Sequence, residues 1–200
     1  MCMNIELITG LVAFAFVSSI TPGPNNLMLM ASGANFGFRR TVPHMLGVGL
    51  GFVFMLILIG LGLAQLFDLF PTSYGVLKAI SIGYLVFLAG KIATAARSPE
   101  AAADSGNPFT FVQAALFQWV NPKAWTMALT AVAVYAPGQD PQSVLLVALV
   151  FGAVNLPSVS VWTVLGQKLR LLLSNSERLR AFNYLMAGLL VASLYPVLMP

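Results

Sequence analysis

This chain has little charge. Only 8% of its 200 residues are Asp, Glu, Lys or Arg, while 58% are hydrophobic and the mean hydropathy is +0.87. An ordinary soluble domain carries roughly 25% charged residues. Water cannot solvate such a chain as a globule, so a sizeable soluble domain is excluded and the sequence reads as an integral membrane protein. Acids are scarcest: Asp and Glu number 6 against 10 Lys and Arg, for a net charge of +4, and apart from Glu6 at the very start of the first apolar run no acid falls inside one. The single cysteine, Cys2, excludes an intramolecular disulfide and a two-cysteine redox relay. With one histidine, His44, no Ser/His/Asp set can be built, and no His/Cys/carboxylate cluster has metal-ligand spacing. A Walker A sequence is also missing, which excludes ATP hydrolysis by this chain. Neither an enzyme nor a cofactor is expected.

What is present is apolar sequence in long runs. A span through hydrocarbon needs about 20 residues, and six candidates emerge. They run from about Ile5 to Asn35, Val42 to Phe67, Ser73 to Ala89, Phe109 to Tyr135, Ser143 to Leu165 and Ala181 to Met199. The stretch before Leu7 holds Glu6 and no Lys or Arg, so the first run reads as a retained span rather than a cleaved signal peptide. Pro71-Thr72-Ser73 and Pro137-Gly138-Gln139-Asp140-Pro141 read as turns. A polar linker from about Lys91 to Pro108 divides the chain into halves of three spans, about 1–95 and 105–200. An odd number of spans per half requires the halves to be inverted, the plan of many secondary transporters. The expected fold is therefore all-α: six transmembrane helices in one domain, as two inverted three-helix repeats.

The cations partition with this reading. Arg39, Arg40, Lys91, Arg97, Lys168, Arg170, Arg178 and Arg180 fall in the connections on one side. The other side holds Glu6, Asp68 and Asp140 and no Lys or Arg. Cytoplasmic loops are enriched in Lys and Arg, so both termini are expected outside the cytoplasm. His44, beside the Arg39-Arg40 connection, reads as a solvated side chain or as a proton shuttle at the cytoplasmic edge.

Two breaks interrupt the apolar runs. The first is Thr21-Pro22-Gly23-Pro24-Asn25-Asn26, the second Asn121-Pro122-Lys123-Ala124-Trp125. Pro22 and Pro24 lack backbone donors, and Gly23 allows close approach to a ligand. Asn25 and Asn26 are expected to cap a helix restarting near Leu27. Asn121 is expected to cap a second helix whose first turn holds Pro122. In lipid an unpaired backbone group costs several kcal/mol, so each break is either sealed by a neighbouring helix or kept for a polar site near the midplane. Restarted helix N-termini favour a carboxylate. Lys123 sits near mid-span without an acid to neutralise it. Either it meets a substrate carboxylate in an aqueous cavity or it snorkels to the interface. Gln118, Asn155 and Ser158 either face the same cavity or hydrogen-bond between helices, and Pro157 marks a flexible point in span five. Gly47, Gly49 and Gly51 read as close helix packing.

Thr21 to Met28, Asn35-Phe-Gly-Phe-Arg-Arg40 and Asn121 to Trp125 resemble the lysine-exporter/threonine–homoserine-exporter family (LysE/RhtB), with agreement in size, apolar segments and motif order. The resemblance implies an inner-membrane amino-acid exporter driven by the proton gradient, with substrate contacts at Pro22, Gly23, Pro24, Asn25, Asn26, Asn121, Pro122 and Lys123. Family members that export basic amino acids are thought to use intramembrane acids, which this chain lacks. The expected substrate is thus neutral: cysteine, O-acetylserine, threonine, homoserine or a branched-chain amino acid. The expected partners are that substrate and the bilayer, not nucleic acid; monomer and homodimer both stay open. A thiol electron carrier needs paired intramembrane cysteines. A scaffold or accessory subunit needs no polar breaks. A metal exporter needs carboxylate, His or Cys ligands, and an exporter of another small solute remains the alternative.

Overall fold

A computed structural model describes residues 5–95, 107–173 and 175–198. Cys2, Arg97, Met199 and most of the linker between Lys91 and Pro108 lie outside the described residues. The described residues are helical, without strands. In order, the helices are α1 (Ile5–Ile20), α2 (Pro24–Phe36), α3 (Phe38–Leu58), α4 (Gln65–Leu69) and α5 (Thr72–Ala93), then α6 (Phe111–Phe117), α7 (Pro122–Tyr135), α8 (Pro141–Leu172), α9 (Ser176–Ala192) and α10 (Tyr195–Leu198). A π-helical turn, Ile59–Leu63, extends α3, and a 3-10 turn, Gln118–Val120, follows α6.

By length and composition α3 with its extension, α5 and α8 can each cross a membrane. The pair α1 and α2, bent by 53° at their break, makes a fourth apolar unit. The stretch Phe111–Val120 is shorter, because Asn121 and Pro122 interrupt it. Helix α9 has 17 residues and begins with Glu177, Arg178 and Arg180, so its apolar part is short.

Helix starts follow local chemistry. Thr110 and Gln113 form a capping box on α6, and Asn121, Asp140 and Asn175 each accept a backbone N–H of the helix they precede. Such caps satisfy donors that have no intrahelical partner. The Ser143 N–H also holds the exposed Asp140 carboxyl below the usual carboxylate range. The expected loop between the first two spans is reduced to one residue. Gly37, at φ +79°, accommodates the left-handed turn there, and Arg39 and Arg40 lie in the first turn of α3. Lys91 and Arg170 lie in last turns. The cations expected in loops therefore sit on helix ends, because the connections are shorter than hydropathy alone suggests. Helix α8 runs on through Pro157, so the flexible point expected there is an unbroken helix.

Three apolar clusters make the core, the smallest joining Leu29, Met45, Val48, Ala114 and Val159. One joins Leu11, Phe52, Met55, Ala128 and Phe151 from α1, α3, α7 and α8. Another joins Leu27, Leu85, Phe117, Met186 and Leu190 from α2, α5, α6 and α9. Outside, Phe54, Leu61, Val76, Leu116, Leu149 and Leu185 are all more than half exposed. Patches of that kind mark a membrane contact. Inside lie Ser19, Asn26, Asn35, Gln118, Asn121, Asn155 and Asn183, all buried. An apolar exterior around a polar interior is the arrangement of a multi-pass membrane protein with a functional centre.

Close helix approach depends on glycine. A Cβ on Gly33 would run into the Thr163 carbonyl oxygen, and one on Gly166 into that of Met30, so α2 and α8 touch backbone to backbone. A Cβ on Gly47 would meet the Phe111 carbonyl oxygen and one on Gly51 the Cα of Ala115 at 2.6 Å. Gly47 and Gly51 thus seat α6 on α3, as small-residue faces do in membranes.

Candidate functional site

The first break spans Thr21–Gly23, between the end of α1 and Pro24, the first residue of α2. Gly23 is the N-cap, in extended backbone and without a side-chain cap. Asn25 and Asn26 were expected to cap α2; they lie within its first turn and bond elsewhere. Proline can open a helix because its missing N–H is not needed there, and that sets the start at Pro24, three residues before the restart expected near Leu27. Asn26 Nδ2 donates to the carbonyl oxygens of Ser19 (2.8 Å) and Thr21 (2.7 Å). It closes the end of α1, whose last carbonyls lack intrahelical donors. Trp162 on α8 does the same for Ile20, its indole N–H donating at 3.0 Å.

At the second break the 3-10 turn ends at Asn121, whose Oδ1 accepts the Lys123 N–H at 3.2 Å. Pro122 opens α7. The Trp125 indole donates back to the Trp119 carbonyl at 2.9 Å, bracing the turn.

The two breaks meet. Lys123 Nζ donates to the Thr21 carbonyl oxygen at 2.7 Å, to Thr21 Oγ1 at 2.9 Å and to the Pro22 carbonyl oxygen at 3.3 Å. Its ammonium group therefore sits at the C-terminal, electronegative end of α1. Asn25 and Gln118 exchange amide hydrogen bonds, Nδ2 to Oε1 at 2.8 Å and Nε2 to Oδ1 at 3.2 Å. Asn155 Nδ2, from α8, donates to Ser19 Oγ at 3.0 Å, and Asn155 Oδ1 is buried without a partner among the described residues.

Gly23, Asn25, Asn26, Asn121, Lys123 and Asn155 line one small cavity of about 20 Å³. A water needs about 10–15 Å³ on this measure, so the space suits one water and not an amino acid. Of the sequence-derived residues, Pro22 takes part through its carbonyl, while Pro24 and Pro122 shape the helix starts. Gln118 and Asn155 join the cluster. Ser158 donates instead to the Val154 carbonyl of its own helix at 2.7 Å. Ser19 and Trp162 were not singled out: a serine or tryptophan in an apolar helix gives no signal until the facing helix is known.

His44 departs from its expected place. It is 2% exposed within α3, its ring 5.3 Å from that of Phe109, and neither ring nitrogen has a partner among the described residues. The reason is the start of α3 at Phe38, four residues before the expected span, which puts residue 44 in the second turn of a helix packed on α2 and beside Phe109 rather than at a solvated edge.

A family model for LysE type translocators matches residues 16–194. A cysteine/O-acetylserine efflux protein of Klebsiella pneumoniae is 27% identical over 194 residues, covering 94% of this chain and 95% of its own. Proteins of the same name from Escherichia coli and Shigella sonnei are 27% identical over 133 residues, 66% of this chain and 67% of theirs. No solved structure matches. Both breaks fall inside the matched region, and the chain belongs to the LysE type translocator family.

Proposed function

We propose that this protein is a secondary exporter of neutral amino acids or their derivatives, with cysteine and O-acetylserine the leading substrates. The observation that carries this reading is the hydrogen bonding of Lys123 to the Thr21 and Pro22 carbonyls. A half-buried ammonium group held by neutral carbonyls can exchange them for an anion, and a charged acceptor makes a hydrogen bond roughly twice as strong as a neutral one. A substrate carboxylate is such an anion. Asn25, Asn26 and Asn121 supply amide groups beside it. The efflux proteins of similar sequence carry cysteine and O-acetylserine in their names, both neutral in the side chain. No acid among the described residues lies at either break to receive a cationic side chain.

The reading includes six membrane crossings in two inverted repeats. Helix α1 packs on α8 as α6 packs on α3, and α5 pairs with α9. Exchanging the halves reproduces these contacts. Arg39, Arg40, Lys168 and Arg170 line one surface hollow. Arg39 and Arg40 stand in a helix first turn, where the dipole disfavours cations, so the membrane's charge preference accounts for them better. This end is assigned to the cytoplasm of an inner membrane, with both termini opposite. Rocking of the halves would open the closed space around Lys123 alternately to each side. The driving ion is assigned as the proton.

Energised inside-out vesicles test the reading, with a labelled panel of neutral and basic amino acids. Uptake of a neutral member, abolished by a protonophore, is the expected result. Uptake of lysine or arginine would overturn the substrate class. No uptake by correctly inserted protein would favour another small solute or an accessory role.

A further inference from the structure

A second cavity, of about 560 Å³, lies away from the two breaks. Ligand pockets commonly fall between about 300 and 1,000 Å³. Asn35 and His44 line it with Met28, Leu88, Phe109 and Lys91. It opens at the other end of α2: Asn35 is ten residues beyond Asn25, about 15 Å along a helix axis. Lys91 and the α3 end bearing Arg39 and Arg40 place it on the basic side.

Its wall is polar in a specific way. Asn35 is 4% and His44 2% exposed. Asn35 Nδ2 donates to the Ala31 carbonyl at 2.8 Å and to Asn183 Oδ1 at 3.1 Å. Those bonds fix the amide and leave Oδ1 unpartnered among the described residues. Both His44 nitrogens are unpartnered as well. A buried polar atom without a partner costs about 1–3 kcal/mol, so three such atoms on two residues of one cavity wall favour a polar occupant. Asn35 Oδ1 is an acceptor at the C-terminal end of α2, where positive charge is favoured. Neutral imidazole adds one acceptor and one donor. The side chains of Met28, Leu88 and Phe109 can cover an apolar group, and the Lys91 ammonium borders the cavity, resting over the Phe87 ring at 5.2 Å.

We propose that this cavity is an intake site on the basic side, where Asn35 and His44 hold the ammonium group of a zwitterionic amino acid with a small uncharged side chain before it reaches the breaks. The ligand class rests on the export reading; the site rests on the cavity and its unpartnered atoms. An ammonium group could also come from an aminophospholipid headgroup, so the bilayer composition must be controlled.

His44 is the only histidine of the chain, which makes it a single reporter. The full chain, labelled with 15N-histidine, is placed in nanodiscs free of aminophospholipid and titrated with O-acetylserine and threonine, with acetate as a control lacking the ammonium group. Saturable shifts of the imidazole nitrogens with an amino acid, and none with acetate, are expected. Asn35→Leu should weaken the response about tenfold, the worth of one hydrogen bond to a charged group, while Lys123→Ala should leave it in place. A silent imidazole at concentrations that saturate vesicle uptake would overturn the intake site and leave the export reading standing. A shift with amino acids but no vesicle uptake would keep the site and overturn export. A shift only on adding phosphatidylethanolamine would reassign the cavity to lipid and overturn the proposal.

Discussion

Lys123 Nζ lies 2.7 Å from the carbonyl oxygen of Thr21, 102 positions away in sequence. One lysine thereby ties the first break to the second and satisfies two carbonyls that the end of α1 and Pro22 leave exposed. This is how a cation persists inside the molecule without an acid beside it.

Removing that ammonium should separate stability from transport. Lys123→Ala leaves the Thr21 carbonyl with Asn26 as its donor and the Pro22 carbonyl without this one, at a cost of about 1 kcal/mol. The protein should still insert, with a lower melting temperature in detergent, and vesicle uptake should fall at least tenfold. Uptake at the parental rate would remove Lys123 from the transport site.

Gly23→Ala tests the same contact from the other side. A Cβ there would stand 2.6 Å from Lys123 Cδ and 3.1 Å from Nζ. The backbone is extended, so alanine adds no φ strain, and the lysine is flexible enough to yield. Folding should therefore be nearly unaffected, while transport falls because the ammonium group is displaced. In a double-mutant cycle with Lys123→Ala the two losses should not add. Additive losses would mean that Gly23 acts elsewhere.

The Asn25–Gln118 amide pair should behave as a unit. Asn25→Ala leaves Gln118 Oε1 without its donor while Nε2 keeps the Ala114 carbonyl, Gln118→Ala removes both Asn25 amide bonds, and the interaction energy between them should be about 0.5–2 kcal/mol in thermal unfolding. A coupling energy of zero would make the pairing incidental.

Glycines divide sharply by position. Gly33→Ala and Gly166→Ala drive a methyl into backbone on the facing helix, and backbone cannot step aside as a side chain can. Each should cost more than about 2 kcal/mol, within the overpacking range, and lower the monodisperse yield on size-exclusion chromatography. Gly75→Ala and Gly83→Ala, with open space at the same test position, should leave yield unchanged.

Much of this architecture is written in local sequence. Hydrophobic runs mark membrane helices whatever they pack against, because the transfer of apolar surface does not depend on a partner. Pro22, Pro24 and Pro122 interrupt helices because proline has no N–H and a fixed φ, and Asn121 caps because its side chain reaches its own N–H two residues on. The breaks were legible for that reason.

What the sequence alone could not decide is who faces whom. In a helix apolar on every side, hydropathy does not distinguish the lipid face from the packed face, since lipid tails are as apolar as leucine. Only the tertiary structure pairs Lys123 with Thr21 and Asn25 with Gln118, buries His44 and presses Gly33 against α8. The sequence by itself determined which runs are apolar enough for membrane helices and where proline interrupts them. The packing of one half against the other decided which polar groups those breaks bring together, because a hydrogen-bond partner is set by distance in space and not by position along the chain.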